Sequence, residues 1–462
     1  RKRKFGARGR TYSFLLGGAR APTANDTVSM TRKVGGGAST LVYDLLEAGY
    51  TGLSVLDLSV AALAAARRVP GAQEAITGPL DVEAALGFRD WITAGWDDAG
   101  QVRWLTDKGI TLIRGDGRIA GPGVVEVDGR TFRTARIVLA TGSRPVIPPV
   151  EGLAGLDGLW TNREVTRMAR VPRRLLVLGG GPVGVEMAQA VRMLGGEVVV
   201  VEGSRLLARE APAVGEAIAG ALRQDGIELH LGVHARSAAR DGDEYVLELD
   251  DGARVRGDHL LIATGRAPRG EGLGVESVGI ELDRGRVPVD DQLRAADGVW
   301  AVGDITGEAM FTHVGKYQAR VAAAGMLGAA VRADYRAVPR VVFTDPQAAA
   351  VGATDGPRTG TARVGDVARA STYENPADRP GFLTLVSDGE VLTGAYSVGP
   401  EAGEWLGQAT LAVRAAVPVE VLRDTIQPFP TFSEVYVNAL DDLLGPPVAG
   451  CPTAAQTATR PG

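Results

Sequence analysis

The feature that most limits what this chain can fold into runs from Arg174 to Glu202. Four apolar residues, Leu175 to Leu178, end abruptly in Gly179-Gly180-Gly181-Pro182-Val183-Gly184, a G-x-G-x-x-G loop. The small and apolar residues of Val185–Leu194 predict a helix packed on a sheet. Val198–Val201 predicts a second strand, and Glu202 closes it. That acid falls 23 residues after Gly179, close to the roughly 20 of a dinucleotide-binding βαβ unit. Gly179 permits the tight turn, Gly181 lets backbone approach a pyrophosphate, and Gly184 lets the helix sit close to the strand. Pro182 and Val183 lie at the helix start, where free N–H groups and the positive dipole end suit phosphate. A glycine-rich turn alone says little. Strand, helix, second strand and acid in this order point to NAD-type binding rather than to a plain βαβ unit.

A second, less regular copy precedes it. Val34-Gly35-Gly36-Gly37-Ala38-Ser39-Thr40 leads into a helical Leu41–Ala48 and then Gly52–Asp57, with Asp57 lying 22 residues after Gly35. Here the third glycine is replaced by Thr40, and the preceding strand, Val28–Lys33, is barely apolar. A mononucleotide or dinucleotide loop with Gly35, Gly37 and Asp57 in it is expected. Helical patterns follow at Ala61–Arg68 and Trp91–Leu105. Downstream, a hairpin signal at Asp128-Gly129 leads to Arg136-Ile-Val-Leu-Ala-Thr141-Gly142-Ser-Arg144-Pro145. A hairpin near Asp251-Gly252 leads likewise to Asp258-His-Leu-Leu-Ile-Ala-Thr264-Gly265-Arg266-Ala-Pro268. Two glycine-loop units, each closed by a hairpin and an Ala-Thr-Gly strand, form an internal repeat that chance rarely produces. Gly298–Asp304 is another short strand, ending in Gly303-Asp304, and Tyr317–Leu327 reads as helix. From Pro339 onward short strands (341–343, 382–386, 391–396) alternate with helical runs (404–415, 419–425), an antiparallel α+β pattern.

Charge and cysteine content remove whole classes of function. Fifty basic residues against 55 acidic give a net charge of −5, so no nucleic-acid or anionic-membrane partner is expected. No apolar run approaches the roughly 18 residues that cross a bilayer, and a cytoplasmic protein is the default. The single cysteine, Cys451, cannot form an intrachain disulfide, a CxxC pair or a zinc cluster. His230 and His234 are four apart, but Glu228–Leu231 alternates like a strand, and no metal site is expected.

Taken together, these motifs resemble those of the class I pyridine nucleotide–disulfide oxidoreductases, the family of dihydrolipoamide dehydrogenase and mercuric reductase. The resemblance spans roughly residues 61–445. It rests on Gly179–Glu186, both Ala-Thr-Gly strands, Ala301–Asp304, Thr312-His-Val, Phe343–Pro346 and Pro430–Glu434. It implies an α/β fold with two nested Rossmann-like domains, for FAD and NAD(P), and a C-terminal α+β dimerisation domain. The expected division is a disordered lead at 1–33, FAD domain at 34–150 and 269–336, NAD(P) domain at 151–268, dimerisation domain at 337–445, and a loose tail at 446–462. By matching positions, Gly179, Gly181, Pro182, Val183, Gly184 and Glu202 bind the nicotinamide nucleotide, and Gly265 and Arg266 close over it. Glu186 lies near the nicotinamide. Thr141, Gly142 and Arg144 line the flavin, while Gly303 presents Asp304 to its ribityl hydroxyls. Glu202 favours NAD, because its carboxylate accepts from a free ribose 2′-OH and repels a 2′-phosphate; Arg205 could serve such a phosphate.

Two departures redirect the chemistry. The family's redox-active Cys-x4-Cys and its following lysine belong between the second strand and the Ala61 helix, where only Leu58-Ser59-Val60 stands. Its His-Pro-Thr signature is Phe429-Pro430-Thr431 here, and Phe cannot transfer protons. Glu434, the usual partner of that His, has none to orient. Phe429 and Phe432 are candidates for an apolar wall beside the acceptor, or for core packing. Residues 34–66 are also similar to the first motif of S-adenosylmethionine-dependent methyltransferases, so they are either a drifted flavin loop or a methyltransferase-like start joined to a flavoprotein body. The leading expectation is a homodimeric FAD-dependent NAD(P)H oxidoreductase that passes hydride to flavin and on to a non-disulfide acceptor such as a quinone. The alternatives are a disulfide reductase whose cysteine pair is lost, and a non-catalytic nucleotide-binding remnant.

Overall fold

The computed structural model describes residues 11–16, 27–32, 81–370 and 381–445. The described chain separates into two compact units, one comprising the N-terminal strands with 81–206 and 223–335, the other 207–222 with 336–370 and 381–445.

The first unit holds the glycine loop at Gly179 and both Ala-Thr-Gly strands. Its nicotinamide-side module is a four-stranded parallel sheet in the order Glu228–Leu231, Glu197–Glu202, Arg174–Leu178, His259–Ile262. The central strands are buried on both faces, with Leu175, Leu176, Val177, Val199, Val200 and Val201 at 1% exposure or less. That explains their unbroken apolar runs: the helix Pro182–Met193 packs on the sheet and residues 235–257, with Tyr245, Leu247 and Val255, pack against Leu176, Val199 and Val201, so both faces are covered and alternation disappears. An antiparallel meander (Ala235–Asp241, Glu244–Leu249, Arg254–Gly257) feeds the His259–Ile262 strand. The flavin-side module repeats this arrangement. The meander Gly117–Gly121, Val124–Val127, Arg130–Arg133 feeds the strand Ile137–Leu139. Asp128 and Gly129 turn its hairpin with φ of 46° and 80°, the paired positive angles of a two-residue type I′ turn. Directly after each Ala-Thr-Gly, Ser143–Pro145 and Arg266–Pro268 pair antiparallel, tying the two repeats into one ribbon.

The expectation of a disordered lead over 1–33 is corrected at two segments, residues 1–10, 17–26 and 33 lying outside the described residues. Thr11–Leu16 and Thr27–Arg32 form antiparallel strands, and Thr27–Arg32 runs parallel to Ile137–Leu139 in a six-stranded sheet. The barely apolar strand read at Val28–Lys33 is thus Thr27–Arg32, and its pairing with Ile137–Leu139 is what the pattern of one segment alone does not show. The single helix expected over Trp91–Leu105 is instead two, Val82–Ile92 and Ala99–Asp107. Ala94, Gly95 and Trp96 all take positive φ, which no continuing helix accommodates.

The second unit is built on a five-stranded antiparallel sheet in the order Arg340–Val342, Gln347–Gly352, Leu392–Gly399, Phe382–Ser387, Arg358–Arg363. Its core includes Val351, Leu383, Leu385, Trp405, Val435 and Tyr436. The helical run expected over 404–415 is two successive helices, Ala402–Trp405 and Gly407–Ala415. Among the described residues no helix is long and apolar enough to cross a membrane.

Candidate functional site

The glycine loop has the local geometry its sequence demands. Gly179 sits at φ +114°, and a Cβ there would lie 2.5 Å from the Ala263 carbonyl oxygen. A Cβ at Gly184 would come within 2.0 Å of the Gly179 carbonyl oxygen, so helix and loop touch backbone to backbone. Gly181 is different: it takes an ordinary φ of −75° as the helix N-cap, and a Cβ there would meet nothing within 4 Å. Two of the three glycines are therefore packing requirements, and the third faces open space at the start of helix Pro182–Met193. Such an end carries unsatisfied N–H groups and a positive dipole, so the loop fits a dinucleotide pyrophosphate. Glu202 Oε2 accepts the Gly180 N–H at 2.6 Å, while Oε1 accepts the Ser204 N–H at 2.9 Å and its hydroxyl at 3.0 Å. This acid, expected to accept from a ribose hydroxyl, thus also fixes the loop. A Cβ on Gly180 would lie 2.6 Å from Leu206 Cδ2 and 2.9 Å from Glu202 Cγ, so the residue between the first two motif glycines is tightly packed as well. Glu186 is half-buried in the second turn of the same helix.

Around Asp304 the chain gathers residues from remote segments. Asp304 follows Gly303 (φ +78°) in the short turn Gly303–Thr306. Its Oδ2 accepts a hydrogen bond from the Ser143 hydroxyl. That hydroxyl in turn accepts from Arg266 Nε at 2.8 Å. Arg266 also donates from Nη2 to the Ser143 carbonyl and from Nη1 to Asn162 Oδ1, each at 3.0 Å. Burial pulls the Arg266 guanidinium below its usual pKa, with the Asp304 carboxylate opposing the shift. Arg266, expected over the nicotinamide nucleotide, has its guanidinium in the Asp304 cluster; Gly265 before it is exposed at φ +129°. Thr141 is buried and donates to the Arg269 carbonyl at 2.8 Å, and the Gly142 carbonyl accepts the Arg269 N–H at 3.0 Å. Arg144 is exposed, with Nη2 3.6 Å from Glu271 Oε1.

Three residues of this cluster were not anticipated. Ser143 had a signal, its place directly after Ala-Thr-Gly. Asn162 follows Thr161, whose capping box with Glu164 starts the helix Asn162–Thr166; the Thr-x-x-Glu spacing marks the helix start but not the asparagine. Gln318, which holds Gly303 and Thr306, has no sequence signal. Among the described residues, Asp304 Oδ1 has no hydrogen-bond donor. A carboxylate with one oxygen fixed and the other unused is suited to accept from vicinal hydroxyls, and the cluster fits a ribityl chain.

In the second unit the two phenylalanines part company. Phe432 is buried among the core residues, whereas Phe429 is 76% exposed. Glu434 accepts the Thr431 N–H at 3.2 Å and closes a capping box at the turn Phe432–Glu434. Its carboxylate has a local structural partner in place of a histidine. Gly35, Gly37, Asp57 and Cys451 lie outside the described residues.

A glycine-loop parallel module, a second Ala-Thr-Gly strand module tied to it, and an antiparallel C-terminal unit are the parts of a two-nucleotide flavoprotein oxidoreductase. Residues 48–319 match the family described as pyridine nucleotide-disulphide oxidoreductase, and residues 338–440 match its dimerisation domain. The chain belongs to this family, whose members use FAD and NAD(P)H. It is 34% identical over 422 residues to mercuric reductase of Streptomyces lividans, spanning 84% of this chain and 88% of that one. It is 32% identical over 386 residues to dihydrolipoyl dehydrogenase of Thermus scotoductus, spanning 79% and 82%. Among solved structures it is similar to LpdA from Mycobacterium tuberculosis, with a TM-score of 0.75 and 26% identity, covering 90% of this chain and 93% of that one. The family match begins after Gly35 and Gly37 and includes Asp57.

Proposed function

We propose that this chain is a homodimeric NAD(P)H oxidoreductase that delivers electrons to a small diffusible acceptor, such as a quinone, without a dithiol relay. The observation that carries this reading is the sequence at the relay position: Leu58-Ser59-Val60 replaces a cysteine pair, and Cys451 is the only cysteine. Bound FAD supplies the hydride chemistry between nicotinamide and acceptor. The protein's own residues bind and orient. Gly181 and the N–H groups of helix Pro182–Met193 receive the pyrophosphate of the nicotinamide nucleotide. Glu202, already accepting from Gly180 and Ser204, accepts also from the ribose 2′-OH and so favours NADH over NADPH. Glu186, in the second turn, lies on the nicotinamide side. Asp304, with Ser143 holding Oδ2, accepts from ribityl hydroxyls through Oδ1, while Thr141 and Gly142 shape the strand end beside it. Proximity and orientation then carry the rate. Phe429 in place of histidine leaves no proton donor at that signature, which a quinone taking its protons from water does not require.

A purified chain tests this directly. The expected protein is yellow, bleaches with NADH in the absence of oxygen, and regains its colour on adding a quinone. A colourless protein that still binds NADH would overturn the reading in favour of a nucleotide-binding remnant. Reoxidation by disulfide substrates but not by quinone would overturn the proposed acceptor.

A further inference from the structure

We infer that Gln318 is a positioning residue for Asp304, a buried side chain that fixes the peptide unit from which the carboxylate projects. The inference rests on the reading that Asp304 holds the flavin. Gln318 lies within the helix Thr312–Met326 and is fully buried, the only glutamine among the described residues at 0% exposure. Its Oε1 accepts the Gly303 N–H at 2.6 Å. Its Nε2 donates to Thr306 Oγ1 at 3.2 Å and to the Tyr335 hydroxyl at 2.9 Å. Thr306 Oγ1 in turn donates a hydrogen bond to the Gly303 carbonyl at 2.9 Å. Both polar groups of Gly303 are therefore held by one side chain, one of them directly and the other through a hydroxyl. This matters because Gly303 opens a short 3₁₀ turn, whose first N–H groups have no partner within the turn. It also sits at positive φ, so no side chain of its own can restrain it.

The clamp is closely packed. A Cβ on Gly315, one turn before Gln318, would lie 3.3 Å from Gly303 Cα, so the helix meets the turn backbone to backbone at that level. At the far end, burial raises the Tyr335 phenol above its ordinary pKa, keeping it protonated. Tyr335 packs edge-on against Tyr317 at 6.0 Å, and the Tyr317 hydroxyl accepts the Asp334 N–H at 2.7 Å. Gln318 is thus itself held from behind, and a displaced glutamine would release Gly303 rather than follow it.

The test measures FAD dissociation from the purified holoenzyme by the rise in flavin fluorescence on dilution, with melting temperature followed in parallel. Gln318→Met keeps the side-chain length and removes all three hydrogen bonds. About tenfold faster release is expected, the equivalent of one buried hydrogen bond. Thr306→Val removes only the bridge to the Gly303 carbonyl and is expected to give about threefold, which keeps the test intact should Gln318→Met not fold. The deciding measurement is the pair with Asp304→Ala. If Gln318 acts through Asp304, Gln318→Met adds less than twofold in the Asp304→Ala background. A full tenfold in both backgrounds would overturn the inference and leave a merely structural glutamine. Flavin release unchanged by Asp304→Ala itself would instead overturn the Asp304 reading, and the inference with it.

Discussion

The loop at Gly179–Glu202 and the cluster at Asp304 are candidate nucleotide sites in the same unit, yet they are assembled in opposite ways. The first is contiguous. Strand, three glycines, helix start and acid fall within one run of sequence, and Glu202 reaches back 22 residues to hold Gly180. The second is dispersed: Ser143 meets Asp304 across 161 residues of sequence, and Arg266 meets Ser143 across 123. A contiguous site depends on backbone approach, and its vulnerable positions are glycines. A dispersed site depends on side chains completing one another's hydrogen bonds, and its vulnerable positions are the links of that chain. Substitutions of the two kinds therefore have different expected consequences, and each tests whether the two sites are separable.

The largest effect is expected at Gly184. Because its Cβ would lie 2.0 Å from the Gly179 carbonyl oxygen, Gly184→Val must push the helix away from the loop. NADH affinity, read by calorimetry on the holoenzyme, is expected to fall more than 100-fold, with about 3 kcal/mol lost from the module by overpacking. Bound flavin, read from the visible spectrum, is expected to stay. Joint loss of flavin would show that the two sites stand or fall together, and the contrast would fail.

Arg266→Met comes next and cuts the other way. Its residue belongs to the nicotinamide-side repeat, but its hydrogen bonds go to Ser143 and Asn162. Removing a guanidinium that serves three buried acceptors costs about 2–3 kcal/mol. The cost is expected as roughly 30-fold faster FAD release, with NADH affinity changed less than threefold. Weakened NADH binding with flavin release unchanged would assign Arg266 to the nucleotide it follows in sequence.

The same division explains what the chain revealed before its structure was known. Glycine spacing, terminal acid and the twice-occurring Ala-Thr-Gly strand are local patterns tied to backbone geometry, so the fold and the strand–loop–helix of the first candidate site were legible. Glu202 was found for its position, but its hold on Gly180 was not, since a motif records spacing and not which atoms meet. Ser143, Asn162 and Gln318 act through partners that only the tertiary fold supplies. The strand Thr11–Leu16 was missed, and Thr27–Arg32 was read as the barely apolar strand Val28–Lys33 without its partners, for a related reason. Each segment offers only a brief alternation, Tyr12 and Phe14 in one and Val28 and Met30 in the other, and the parallel register with Ile137–Leu139 is visible only once both segments are in place. Phe432 and Phe429 were indistinguishable by residue type, and burial separated them.

The smallest structural effect, and the finest test of the contiguous site, is Gly181→Ala. At φ −75° with nothing within 4 Å of a built Cβ, this glycine is required neither by conformation nor by packing. Alanine there is expected to leave the melting curve within about 0.5 kcal/mol of the parent. A methyl group at that point nonetheless occupies the space through which a pyrophosphate must approach the helix start, and NADH affinity is expected to fall about tenfold. Gly184→Val would weaken binding by moving the loop, whereas Gly181→Ala would do so with the loop unmoved. A variant of unchanged stability and unchanged NADH affinity would place the nucleotide elsewhere than against Gly181. Unchanged stability with weakened binding would show that the open glycine is reserved for the ligand, while its two neighbours in the motif serve the fold.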